Sequence, residues 1–300
     1  MKRNIMIMGG KTYVISLPAP WIKKYGIKKG EELDVEEQGG SIIITTPKGI
    51  ATPKRFEMDI TDFEPILPKT LANIYKNGYS EIFIKSSNPL LIKKVEDYFN
   101  KYFIGLEVVK QEKNSCLIKQ IALTTTEEFD NILRRTFLSI ISLQEKVLEG
   151  IKAKNKAILR EAIEQDKLVN NMLALCKSLL NRRNYKDYKD TTYVYCLCEA
   201  LQNIADEHKL IAEYILSHKL KIKQEIRDYE TTIEIFKQFY EMYYKYEQQI
   251  LIELSKKTKD SKNTLYNLFN KKYDQRVLHA NIRILDLIYD MLSFKLSMSL

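Results

Sequence analysis

All seven prolines of this 300-residue chain lie at or before Pro89. A proline inside a helix removes a backbone donor and clashes with the preceding turn, at a cost of roughly 3 kcal/mol. The long remainder is therefore open to uninterrupted helix, while the front of the chain is punctuated. Apolar residues recur at helical spacing in that remainder, as Leu133, Phe137, Ile140, Ile141, Leu143 and Val147, as Ile158, Ala162, Val169, Leu173 and Cys176, and as Val194, Leu197, Leu201, Ile204, His208 and Ile211. Residues 123–300 are expected to form an all-α bundle, broken near Gly150–Asn155, Asn181–Asp190, His218–Asp228 and Lys256–Lys262.

The front divides again. In residues 1–50 a period of two runs through Ile5 and Ile7, through Tyr13, Ile15 and Leu17, and through Leu33 and Val35, and Gln38-Gly39-Gly40-Ser41 supplies a turn before Ile42, Ile43 and Ile44. Pro18 and Pro20 start a short helix over Trp21–Tyr25 that Gly26 ends. So small a unit buries too little apolar area to stand alone, and two copies are expected to share one core. Residues 55–122 alternate differently, with helices over Leu67–Lys76 and Leu90–Lys101, a strand over Glu81–Lys85, and a hairpin of Leu106–Val109 with Cys116–Ile121. They read as a small α/β middle domain, a spacer or dimerisation platform, with a ligand sensor as the alternative. The whole is an α+β multidomain chain.

Charge is segregated. The formal net charge is +9 with pI near 9.1, and up to Lys29 the only charged side chains are Lys2, Arg3, Lys11, Lys23, Lys24, Lys28 and Lys29; the acids Glu31, Glu32, Asp34, Glu36 and Glu37 follow. One positive surface attracts a polyanion over about 8 to 10 Å in physiological salt. A solvated lysine-rich surface would carry the same charges, so charge alone does not decide. Lys2, Arg3, Lys11, Lys23 and Lys24 are the candidates for gripping phosphate. No run of residues approaches a membrane span and the start of the chain reads as a strand, so a cytoplasmic protein is expected. The four cysteines have neither zinc-ligand nor disulfide-framework spacing and read as reduced thiols. A nucleophile motif, a nucleotide loop and a convincing acid–base pair are all missing, so an enzyme is not expected.

The strand ending in Leu17-Pro18, the short basic helix, Gly26 and the run Lys29-Gly30-Glu31-Glu32-Leu33 resemble the swapped-hairpin AbrB/MazE/SpoVT DNA-binding domains, which dimerise by interleaving their hairpins. The resemblance implies a swapped-hairpin β-barrel, a homodimer formed through the N-terminal domain, and double-stranded DNA as partner. The chain departs from the family where Val14 and Ile22 stand at positions of DNA-facing arginines; Lys23 takes the place of a third. Lysine is a point charge suited to phosphate, whereas the planar arginine fork reads bases. Phosphate contact is therefore expected to dominate, with Arg3 the one arginine able to make a bidentate contact.

Within the helical part Leu201-Gln202-Asn203-Ile204-Ala205-Asp206 aligns with Leu285-Asp286-Leu287-Ile288-Tyr289-Asp290, so a three-helix unit is expected twice. Ile204-Ala205-Asp206-Glu207-His208-Lys209-Leu210-Ile211-Ala212-Glu213 and Asp166-Lys167-Leu168-Val169-Asn170 resemble helix signatures of the PhoU family, whose domain has two three-helix repeats and an E/D-x-x-x-D motif that binds iron or zinc clusters. The resemblance implies Asp166, Asp206, Asp286 and Asp290 as metal ligands. Gln202 stands where the family has an acid, and a neutral amide is the weaker ligand; Asp286 and Asp290 also read as surface acids beside Arg283. His208 reads as a core histidine, and Tyr240, Tyr243, Tyr244 and Tyr246 as packing residues. The order of the three segments resembles prokaryotic, chiefly archaeal, phosphate uptake regulators. This implies a DNA-binding transcriptional regulator of phosphate uptake and homeostasis. The alternatives are a PhoU-type signalling adaptor that acts on a phosphate transporter or sensor kinase without binding DNA, and an antitoxin.

Overall fold

The structure, a computed structural model, describes residues 2–38, 40–45, 55–121, 126–183, 185, 187–218, 224–269, 271 and 273–300. The chain forms two compact units, Met1–Pro53 and Lys54–Leu300.

In the first unit β1 (Met6–Met8) pairs antiparallel with β2 (Thr12–Val14), Met6 opposite Val14, around a turn through Gly9 and Gly10. Helix α1 (Ala19–Tyr25) follows, its start set by Pro18 and Pro20. Gly26 ends it in the left-handed conformation at φ 62°, with its amide donating to the carbonyls of Ile22 and Lys23. Strands β3 (Asp34–Gln38) and β4 (Ser41–Thr45) form a second hairpin with Val35 opposite Ile44; Gly39 of its expected turn lies outside the described residues. One chain thus supplies two separate hairpins, and no closed barrel forms among its described residues.

The second unit opens with a four-stranded sheet in the order β5-β6-β8-β7. Strand β5 (Arg55–Asp59) leads through helix α2 (Leu67–Lys76) into the parallel strand β6 (Glu81–Lys85), and helix α3 (Pro89–Tyr102) precedes the antiparallel hairpin of β7 (Leu106–Glu112) and β8 (Ser115–Gln120). Ile82, Ile84 and Ile118 of the sheet meet Leu71, Leu91, Val95 and Phe99 of the two helices in one buried core. The sequence reading finds every α-helix here and every strand except β5, whose Arg55-Phe56-Glu57-Met58-Asp59 alternates charged and apolar residues as an edge strand does.

Among the described residues six α-helices complete the unit: α4 (Thr126–Lys152), α5 (Lys156–Arg183), α6 (Thr191–Ser217), α7 (Gln224–Tyr244), α8 (Gln248–Tyr266) and α9 (Gln275–Ser297). They form two runs of three, with α6 and α9 third in each and carrying the repeated hexapeptides. Phe137 of α4 is fully buried against Phe236, Phe239, Tyr240, Tyr243 and Tyr244 of α7, so the tyrosine run does pack. Burying a side chain of this kind contributes about 1.5 to 3 kcal/mol. One expected break is corrected. Lys256–Lys262 lies inside α8, because Leu251, Leu254, Thr258 and Leu265 keep a buried stripe through the polar run and the Thr258 hydroxyl donates to the Leu254 carbonyl. The chain turns instead between Tyr244 and Gln248 and between Tyr266 and Gln275.

Sheet and bundle are joined through α2 and α5. Asn181 Nδ2 donates to the Lys76 carbonyl at 2.8 Å and Arg182 Nε to that of Gly78 at 3.1 Å, so α5 satisfies carbonyls left open where α2 ends. Gly78 has φ +74°, and a Cβ there would meet the Ser178 carbonyl oxygen at 2.6 Å.

Candidate nucleic-acid surface and the carboxylates of the bundle

Lys23 and Lys24 occupy the last turn of α1, where the helix dipole favours cations, and both are exposed. Trp21 and Tyr25 pack ring against ring at 5.4 Å on the same helix, and Lys24 Nζ lies 5.6 Å from the Tyr25 ring centroid. Lys11 follows the Gly9-Gly10 turn, and Lys2 and Arg3 precede β1; all three are exposed. Val14 and Ile22, at the positions where the resemblance implies arginine, are only half-exposed, as apolar side chains should be.

The acids of the bundle meet different partners. Asp166 of α5 is buried; its Oδ2 accepts from Asn170 Nδ2 at 2.9 Å and pairs with Lys209 Nζ of α6 at 3.2 Å, while Oδ1 has no protein partner. Asp206 of α6 lies close enough to feel it. Burial first and the Asp166 charge second raise the Asp206 pKa above the usual carboxylate value, against the pull of Lys209 and Asn170. Asp286 of α9 accepts from Lys262 Nζ at 2.8 Å, and Asp290 one turn later is exposed.

The lysine partners Lys209, Lys262 and Lys177 all escape the sequence reading. Lys177 of α5 has no exposed side-chain surface, and its ammonium reaches Glu199 Oε1 and Gln202 Oε1, each at 2.6 Å. Burial lowers its pKa, and the hydrogen bond to Glu199 opposes that shift. The available signal is a lone cation in the apolar run Leu173-Ala174-Leu175-Cys176-Lys177-Ser178-Leu179-Leu180, since a buried charge needs a partner. Lys262 sits in the run that reads as a helix break. His208 is the core histidine expected. Its Nδ1 lies 2.6 Å from the Tyr229 hydroxyl, and burial pushes its pKa down to about 3.

The fit to a metal cluster is poor. Among the described residues no three His, Cys, Asp or Glu side chains are placed to hold one ion. The head position of the first motif is an amide facing an ammonium, and that of the second is a carboxylate facing another.

Residues 7–52 match a protein family described as antidote-toxin recognition MazE, bacterial antitoxin. No curated protein sequence matches the chain. Among solved structures it is similar to the crystal structure of the phosphate transport system regulatory protein PhoU from Streptococcus pneumoniae, with 13% identity and a TM-score of 0.43, over 57% of this chain and 90% of that one. The chain carries a MazE/AbrB-like domain at its N-terminus, ahead of a helical region similar in structure to PhoU. Among the described residues no helix is long and apolar enough to cross a membrane.

Proposed function

We propose that the chain is a cytoplasmic, DNA-binding transcriptional regulator of phosphate uptake and homeostasis that works as a homodimer through its N-terminal unit. One observation carries the reading. Among the residues of that unit whose side-chain exposure is described none is buried, and Ile5, Met6, Ile7, Met8, Tyr13, Ile15, Val35 and Ile42 are each 52–73% exposed. Short hairpins with this much bare apolar surface need cover, and a second copy presents a surface of the same kind. Dimerisation also brings two α1 helices, and with them two Lys23-Lys24 pairs, onto one particle. The MazE-family match supports DNA as the polyanion, and the lysines supply sequence-independent phosphate contacts. The phosphate-uptake role rests on the PhoU-like signatures at Asp166–Asn170 and Ile204–Glu213.

A second reading has a specific observation behind it. With Val14 and Ile22 at arginine positions, the N-terminal unit would serve only to dimerise the chain, and the bundle would act as an adaptor on a phosphate transporter or sensor kinase. A mobility shift with duplex DNA at low salt separates the two, together with transcript measurements in cells carrying Lys23→Glu and Lys24→Glu. Loss of the shift and altered phosphate-uptake transcripts support the regulator. No shift with the unaltered chain, and unchanged transcripts, support the adaptor.

A further inference from the structure

In each three-helix repeat a lysine of the second helix reaches the residue that heads the motif on the third. Lys177 of α5 donates to Gln202 Oε1 at 2.6 Å across a separation of 25 residues, and Lys262 of α8 donates to Asp286 Oδ1 at 2.8 Å across 24. Gln202 and Asp286 are equivalent in the aligned hexapeptides, so the two contacts are copies of one another. Charge is balanced in both. In the first repeat the acid lies one turn earlier, at Glu199, where i, i+3 spacing keeps it on the same helix face, and Lys177 pairs with it at 2.6 Å. A carboxylate at position 202 would leave that group one negative charge in excess; the neutral amide does not. In the second repeat the position equivalent to Glu199 is Arg283, and Asp286 itself is the acid that meets Lys262. A third lysine makes a pair of the opposite sense, Lys209 of α6 reaching back to Asp166 of α5 at 3.2 Å.

We propose that these ammonium groups are the resident cations of the bundle. Lys177 and Lys262 fill the space in front of the residues that head the two motifs, so that the helices pack there around an ammonium group and need no iron or zinc. An ion placed before Gln202 or Asp286 would have to expel a lysine that is already hydrogen-bonded there, and at Lys177 that lysine is fully buried. The proposal is independent of whether the N-terminal unit binds DNA.

The test uses the full chain, dialysed against chelator and then supplied with zinc, or with ferrous iron under anaerobic conditions. Metal content and Tm are read. The expected result is substoichiometric metal and one Tm in chelator and in either ion. Lys177→Met combined with Gln202→Glu removes the cation and leaves three carboxylates along one helix, those of Glu199 and Asp206 and the one introduced between them. Zinc should raise the Tm of that variant by several degrees, or be required for it to fold. One or more ions per unaltered chain, or a Tm that falls in chelator, would overturn the proposal; loss of that ion in Asp166→Asn would locate it at the unpartnered Asp166 oxygen. A folded double variant indifferent to zinc would overturn it as well, because the lysine would then not be what keeps metal out. If the double variant folds in neither condition, the unaltered chain decides.

Discussion

His208 Nδ1 and the Tyr229 hydroxyl lie 2.6 Å apart with both side chains buried, and the contact ties α6 of the first repeat to α7 of the second. Burial holds the imidazole neutral by pushing its pKa down to about 3. Such a group makes stability depend on pH. Above about 6.5 the histidine is neutral in both folded and unfolded chains and its contribution is complete. Below that value the unfolded chain takes up a proton that the folded chain refuses, and stability is lost as pH falls toward 3. Between pH 7 and pH 5 this one site should cost about 2 kcal/mol. Asp206 and Glu207, whose pKa values are raised by burial, pull the other way, so the difference between the unaltered chain and His208→Gln is the quantity to read. Urea melts at the two pH values should show the unaltered chain losing more than the variant by that amount.

Lys177 and Lys262 make equivalent contacts in unequal surroundings, and this inequality can be measured. Lys177 has 0% of its side chain exposed, whereas Lys262 has 22% and its partner Asp286 33%. Removing one partner of a buried pair costs roughly 3 to 5 kcal/mol, and the low end applies to Lys177→Met because Glu199 can regain water. Lys262→Met should cost less than about 1 kcal/mol. Denaturant melts of the two variants give the comparison; equal losses would mean that burial is not what distinguishes the two repeats.

Gly78 joins the sheet domain to the bundle by having no side chain. Gly78→Ala would place a carbon 2.6 Å from the Ser178 carbonyl and force a non-glycine residue to φ +74°. A loss of more than about 1 kcal/mol is expected, since both the backbone conformation and the close approach oppose the methyl group. Faster proteolysis of the α2–α5 junction, relative to the rest of the unit, would locate the damage there.

Cysteine chemistry should be limited. Burial pushes the Cys116 thiol up to about 12, and the hydrogen bond to Cys198 together with burial raises Cys176, while Cys196 alone is partly exposed. A thiol reagent at pH 8 should modify Cys196 in the folded chain and all four cysteines only after denaturation, because the thiolate is the reactive form. Mass spectrometry of peptides after short labelling reads this directly.

The helices are legible because their signal repeats over many turns. A stripe such as Leu133, Phe137, Ile140 and Val147 leaves little choice, whereas the four expected breaks would give five helices and only the repeated hexapeptide points to two runs of three. The misplaced break shows the limit. Lys256 to Lys262 looks polar in a short window, yet Thr258 is buried by bonding its hydroxyl to its own backbone, which removes the cost of putting it on the core side. Strand β5 escapes because five alternating residues followed by a long connection weigh little against the helix that comes after. At the bundle carboxylates the acids are legible and their partners are not. Lys177, Lys209 and Lys262 reach across helix interfaces, and no spacing within one helix predicts a contact between two. Gln202 reads as a lost ligand; beside Glu199 and Lys177 it is the neutral residue that balances charge.

The most direct measurement is the salt dependence of binding to duplex DNA by the full chain, compared with a Lys23→Gln, Lys24→Gln variant. The expectation for a DNA-binding dimer is a log–log slope on the order of −0.9 for each phosphate neutralised, with a dimeric variant whose affinity is lower and whose slope is shallower. Undetectable binding even at low salt, or a variant whose affinity and slope match those of the unaltered chain, would contradict it.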